Sequence, residues 1–242
     1  MFKIKRIAPN PLLQKQPTFL ANSIERRLFL KGSTAMMAAF AGVKTLELAP
    51  AQAQPLPQRV GAVEKLRGPS YRVQGDQREA LSLGSSLNFG DRLETGADSR
   101  LSIKMLDDTV FHLGEKSDFH IDAFVFDPAK QEGDATFTLA RGAFRMVTGL
   151  VTQDKSRPHL TVRTPVATIG IRGTDFWGLQ TEDSLQLALL GGGPMTLATE
   201  AGEITMTEAL SVSVVSKPGA RPTPPRQLSE DELVAAASTV AY

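Results

Sequence analysis

Apolar and polar residues alternate with period two through most of the chain after residue 100. Leu101, Ile103 and Met105 are interleaved with Ser102 and Lys104, and past Asp107-Asp108 the alternation resumes through Val110-Phe111-His112-Leu113. A period of two sends one set of side chains to each face of a strand, so two such runs around an acidic turn predict a hairpin. Shorter runs repeat the pattern at Phe119-His120-Ile121, Phe137-Thr138-Leu139, Phe144-Arg145-Met146-Val147, Leu160-Thr161-Val162, Leu185-Gln186-Leu187, Met195-Thr196-Leu197, Ile204-Thr205-Met206 and Val212-Ser213-Val214. Strand-sized pieces at intervals of about 8–12 residues, with no helical periodicity between them, indicate an all-β architecture. Glycines punctuate the runs where tight turns are needed. The expected fold is a set of stacked hairpins forming a sandwich or solenoid-like roll, its edges blunted by charge. Asp127 to Asp134 and Gln153 to Pro158 read as surface loops.

The pattern stops near the C-terminus. Lys217 to Arg226 contains four prolines, which cannot continue a sheet and favour an extended spacer. Ser229 followed by Glu232 forms a capping box, so a short Ala-rich helix is expected from Glu230 to about Thr239. That helix reads as a frayed tail, with docking as the alternative.

The opening of the chain carries a different signal. Arg26-Arg27-Leu28-Phe29-Leu30-Lys31 precedes an uncharged run from Gly32 to Val43, well short of the ~20 apolar residues that span a bilayer as a helix. Ala51-Gln52-Ala53 then offers a small-x-small cleavage pattern. Together these read as a twin-arginine export signal, with Arg26, Arg27, Phe29 and Leu30 as the signal residues and Ala51 and Ala53 at the cleavage site. The expected domains are a signal over 1–53, an all-β body over 54–215 and a Pro-rich linker with a short helix over 216–242. The twin-arginine translocase would be the partner during export, and the periplasm the destination, without stable membrane insertion after cleavage.

Cleavage changes the charge. Eight of the 27 basic and two of the 26 acidic residues precede residue 54, leaving 19 against 24 and a formal net charge of −5. That balance, without a Lys/Arg cluster, argues against nucleic acid, where phosphate neutralisation dominates affinity. Cysteine is absent, which removes disulfides, thiol catalysis and cysteine metal sites. Three histidines are present. A metal pair from His112 and His120 would need both on one face of neighbouring strands, with Asp118 or Asp122 as an oxygen ligand; no further ligands stand at a recognisable spacing. Asp91, Asp98, Asp107, Asp108 and Asp127 sit beside turn signals, where carboxylates cap backbone N–H groups. Gly191-Gly192-Gly193 lacks the Lys-Ser/Thr of a phosphate loop and reads as a turn. No metal, cofactor or catalytic residue is expected.

One constellation stands above composition, Val162 to Phe176. Pro165 interrupts strand hydrogen bonding and holds Thr164 extended. Arg172-Gly173-Thr174 makes a tight turn into the aromatic pair Phe176-Trp177. Arg172 reads as an internal clamp forking to backbone carbonyls or a carboxylate, with an anion site as the alternative. Trp177, the single tryptophan, reads either as core or as interface.

Thr164 through Phe176 resembles the Thr-Pro-x-Ala-x-x-Gly-x-Arg-Gly-Thr-x-Phe segment of the FecR-domain family of bacterial envelope proteins. Leu87 to Gly96 is similar to that family's glycine–aspartate and threonine–glycine element. Leu101 to Leu113 resembles its strand, acidic turn and strand, with Asp108-Thr109 replacing the more usual Asp-Gly, and Gly142-Ala143-Phe144-Arg145 its glycine-led strand. The resemblance runs from about Val60 to Val214. It implies an extracytoplasmic all-β module without enzymatic activity that acts in signalling or assembly. Regulatory members join this module through a transmembrane helix to a cytoplasmic anti-sigma segment; the 25 residues before Arg26 are too few for that segment. The expected function is a periplasmic module that docks onto another envelope protein. Candidate contact residues are Thr164, Pro165, Arg172, Gly173, Thr174, Phe176 and Trp177. The alternative is a membrane-tethered signal transducer acting with an anti-sigma and transport system. A third reading, a carbohydrate hydrolase, would need two facing carboxylates about 5–10 Å apart.

Overall fold

The computed structural model describes residues 58–152 and 159–242. The export-signal residues Arg26, Arg27, Phe29 and Leu30, the cleavage residues Ala51 and Ala53, and the expected loop Gln153 to Pro158 lie outside the described residues.

Strands form two layers. The first has the order β4 (Ser86–Asn88), β1 (Arg59–Arg67), β6 (Arg100–Met105), β7 (Val110–Leu113), the end of β9 (Glu132–Val147), β12 (Thr174–Gln180), β13 (Leu185–Gly192), β16 (Ser211–Val215) and β17 (Arg226–Gln227). The second has the order β3 (Gln77–Ala80), β2 (Ser70–Gln74), β5 (Arg92–Thr95), β8 (Asp118–Asp127), the start of β9, β10 (Leu160–Arg163), β11 (Thr168–Ile171), β14 (Met195–Thr199) and β15 (Gly202–Met206). Hairpins are distributed over both layers, in keeping with the stacked-hairpin expectation. Among the described pairings only β9 with β10 is parallel.

β9 joins the layers. Its 16 residues pair with β8 and β10 up to Arg141 and with β7 and β12 from Gly142 onward. The switch occurs at Gly142, whose φ of 108° is accessible to glycine and costly for an L side chain. A Cβ there would also collide with Ser117. Alternation changes phase at the switch, from odd positions before Gly142 to even positions after it, so Phe137, Leu139, Phe144 and Met146 all reach the shared interior. Phe111 of the first layer meets Phe119 and Phe137 of the second with ring centroids 4.8 and 4.6 Å apart, a tilted and edge-on geometry that suits the ring quadrupoles.

The alternation reading missed β1 to β5. β3 has no buried residue, β4 has three residues, and β1 is interrupted by a register shift between Val63 and Lys65; each of these breaks a period-two signal. The expected loop from Asp127 to Asp134 is shorter, because β8 runs to Asp127 and β9 starts at Glu132.

The C-terminal region also departs from expectation. The proline-rich stretch packs on β16: Thr223 donates its N–H to the Val214 carbonyl at 3.0 Å, and Val214 donates to Thr223 Oγ1 at 3.0 Å. Thr223 supplies the donor that its proline neighbours lack. The helix α1 (Glu230–Val240) has the expected capping box. It is docked rather than frayed, with Ala236 and Val240 buried beside Trp177, Ala188 and Val212 on the outer face of the first layer.

Candidate functional site

The contact residues named from sequence fall in three places. Thr164 and Pro165 form the turn between β10 and β11. Thr164 accepts the Ala167 N–H on Oγ1 at 3.1 Å, and its own N–H donates to the Ala167 carbonyl at 2.9 Å. The threonine thereby closes a turn that proline alone could not, and Pro165 stands exposed at its tip. This turn, the Thr199-Glu200 turn after β14 and Pro218-Gly219 enclose a groove of about 630 Å³.

Arg172, Gly173 and Thr174 lie at the other end of β11, four residues and roughly 13 Å away. Gly173 accepts the Gly193 N–H at 2.6 Å, and Thr174 donates its N–H to Thr148 Oγ1 at 2.7 Å. Arg172 is half-buried and makes no side-chain hydrogen bond or ion pair among the described residues. The clamp expected of it belongs to Arg145, which grips Asp175 through Nε at 2.9 Å and Nη2 at 2.7 Å. That two-point hydrogen bond raises the Arg145 pKa.

Phe176 and Trp177 are turned away from solvent in opposite directions. Phe176 is fully buried between the layers, edge-on to Phe144 at 5.5 Å. Trp177 points outward and is 3% exposed because α1 covers it; its Nε1 donates to Thr239 Oγ1 at 2.9 Å. Neither ring is available to a partner while α1 is in place. The surface part of the segment is therefore Thr164, Pro165, Arg172 and Gly173.

Charged side chains elsewhere serve the scaffold. Burial pushes the Asp118 carboxyl up, but the bidentate Arg92 contact at 2.9 and 2.7 Å outweighs it and holds the group below its ordinary value. Buried Asp91 accepts from Arg72 Nε at 3.0 Å and the Asn88 N–H at 2.8 Å. Buried Asp107 accepts from the N–H groups of Thr109 and Val151 at 3.1 and 3.2 Å. Asp91, Asp107 and Asp127 cap turns as their positions suggested, whereas Asp98 and Asp108 occupy left-handed turn positions with φ of 53° and 68°.

His112 and His120 lie in different layers, on β7 and β8, so the face-sharing that a metal pair would need is not present. Burial, then Arg145 and Lys65, lowers the His112 pKa. Among the described residues no group of three His, Asp or Glu side chains could hold a metal ion. No helix among them is long and apolar enough to cross a membrane.

Residues 91–193, from Asp91 of the β4–β5 turn through Gly193 after β13, match the family model of FecR protein. Over that span the chain is similar to the FecR domain. The matched span covers the central hairpins of both layers, the β9 switch and every candidate contact residue. Two crystal structures of a candidate anti-sigma factor from Parabacteroides distasonis are similar to this chain at 12% identity, with TM-scores of 0.47 and 0.46. Each alignment covers 60% of this chain and 62% or 63% of the other; the chain thus spans less than two thirds of those proteins. No curated protein matches it.

Two features of the site were invisible in the sequence. The covering of Trp177 joins residues 62 positions apart. The second is a cleft beside the β9 switch, lined by residues from β6, β9, β12 and α1. Neither has a local signature.

Proposed function

We propose that this protein is a regulatory binding module without enzymatic activity, which docks onto another envelope protein in the periplasm during signalling or assembly. The observation that carries this reading is the similarity to the FecR domain over residues 91–193. Export by the twin-arginine route, from the signal at Arg26-Arg27, would deliver the β body already folded.

Docking is assigned to the β15 edge and the adjoining Thr164-Pro165 turn. β15 has five residues, pairs with β14 alone, and takes part in no other backbone hydrogen bond among the described residues. The other edges are less suited to augmentation. β4 and β17 have three and two residues. β3 is blunted by Arg78, stacked 3.8 Å from the Tyr71 centroid and paired with Glu94 at 3.2 Å, and by Glu79, paired with Arg72 at 3.1 Å. An extended partner segment added to β15 would gain main-chain hydrogen bonds, while the groove beside Pro165 would select its side chains. Arg172 and Gly173, at the far end of β11, provide a second contact for a partner long enough to span it.

The test is capture from envelope extract by the signal-free chain. Thr205→Lys, which places a charge on the edge, is expected to abolish capture, and Arg172→Ala to weaken it. Gln77→Lys on β3 should leave it unchanged. Equal capture by Thr205→Lys would remove β15 from the contact. Retention of no envelope protein by the unmodified chain would overturn the docking reading itself.

A further inference from the structure

The two layers part where β9 crosses between them. Gly142 offers no side chain to fill the gap, and the last turn of α1 closes it from above through Ser238 and Thr239. A cleft of about 490 Å³ remains, with Arg100, Lys116 and Arg141 in its lining. None of these three cations is in an ion pair among the described residues. Two exposed carboxylates, Glu115 and Glu182, also line it, so the lining carries an excess positive charge.

A second observation is independent of charge. Gln180, 1% exposed, pairs with Gly142 across the strands and donates Nε2 to the Thr181 carbonyl at 2.7 Å, leaving its Oε1 without a partner. Arg100 spends Nη1 on the Ser99 carbonyl at 2.8 Å and Nη2 on the Ser238 carbonyl at 3.1 Å, leaving Nε without one. Buried polar groups are normally satisfied. Here one acceptor and one donor are orphaned in side chains that line the same cleft.

We propose that this cleft binds a small organic acid bearing an amide N–H next to its carboxylate. The carboxylate lies among Arg100, Lys116 and Arg141, and the N–H is donated to Gln180 Oε1. Arg100 also holds the Ser238 carbonyl in the last turn of α1, so a carboxylate that takes its guanidinium competes with that turn. Thr239 in that turn is the hydrogen-bond acceptor of Trp177, which makes the sole indole a reporter of occupancy. A free acylated amino acid and the C-terminal end of a polypeptide share this chemistry. The assignment does not depend on docking at β15.

The experiment titrates the full chain with N-acetylglycine, following Trp177 emission and calorimetric heat. The expected result is saturable binding with half-saturation at roughly millimolar concentration, the range of a small fragment, and no binding of N-acetylglycinamide, which lacks the carboxylate. Gln180→Met should weaken binding about 10-fold, as should Arg100→Gln, each removing one charged or buried hydrogen bond. Lys116→Ala, at an exposed position that leaves folding intact, should weaken it several-fold and keeps the test decisive if the buried variants fail to fold. Tighter binding of an N-acetylated tripeptide would identify a polypeptide C-terminus as the source, and equal or weaker binding a free small acid. The proposal is overturned by the absence of saturable heat. It is equally overturned if inorganic phosphate binds as tightly as N-acetylglycine with no effect of Gln180→Met.

Discussion

The outward faces of the two layers share a backbone pattern and differ in side chains. Across the first layer, cross-strand neighbours run His112, Arg145, Trp177, Ala188 and Val212. Across the second they run Thr136, Thr161, Gly170, Thr196 and Thr205. The first row turns apolar at Trp177 and is roofed there by α1. The second is a hydroxyl row with no helix over it among the described residues; its β-branched side chains suit a strand and hydrogen-bond to water unaided. Inward faces make the sandwich, and outward faces decide which layer needs a cover. The covered face supplies stability, and the open layer carries the β15 edge proposed for docking.

The variant that breaks this contrast most is Trp177→Ala. It removes the largest side chain beneath α1 and is expected to cost about 3–5 kcal/mol, read as a lowered midpoint in urea. Thr239→Val is smaller: it leaves the buried Trp177 N–H without its acceptor, for a loss of about 1–3 kcal/mol. Ser229→Ala removes the capping box and should cost about 1 kcal/mol, with loss of helical signal in circular dichroism.

Acid should loosen the same cover. The Arg226 side chain, then the Ser229 backbone N–H, hold the Glu232 carboxyl down at about 2 against an ordinary 4.5. A depressed carboxyl pKa contributes its stability in full above the unfolded value and loses it as pH falls through the folded one. The α1 contact is therefore expected to weaken between pH 4.5 and 2, visible as a red shift of Trp177 emission. Glu232→Gln should remove that pH dependence. The smallest effect belongs to the open face: Thr161→Val should change stability by less than about 0.5 kcal/mol. A loss above about 1 kcal/mol would show that the second layer is covered after all.

Much of the body was legible because strand periodicity is a local signal. The β6–β7 hairpin, the capping box and the FecR segment each lie within a few residues of sequence. The first five strands were not, since a bulge in β1 and the exposed charges of β3 erase alternation. The candidate site was legible only in part. Phe176 and Trp177 are adjacent in sequence and therefore point to opposite faces of β12, and only the position of α1 determines that both are buried. The turn position of Arg172 suggests a clamp, whereas the cross-strand register puts Arg145 within reach of Asp175. Gln180, Arg100 and Ser238 meet only because β9 crosses between layers.

Acrylamide quenching of Trp177 tests most directly whether α1 closes the first-layer face. It should be measured on the full chain and on a chain ending after Gln227, which retains β17 and lacks the helix. The account predicts weak quenching in the full chain and quenching near that of free tryptophan in the shortened one. Equal quenching in the two would contradict it.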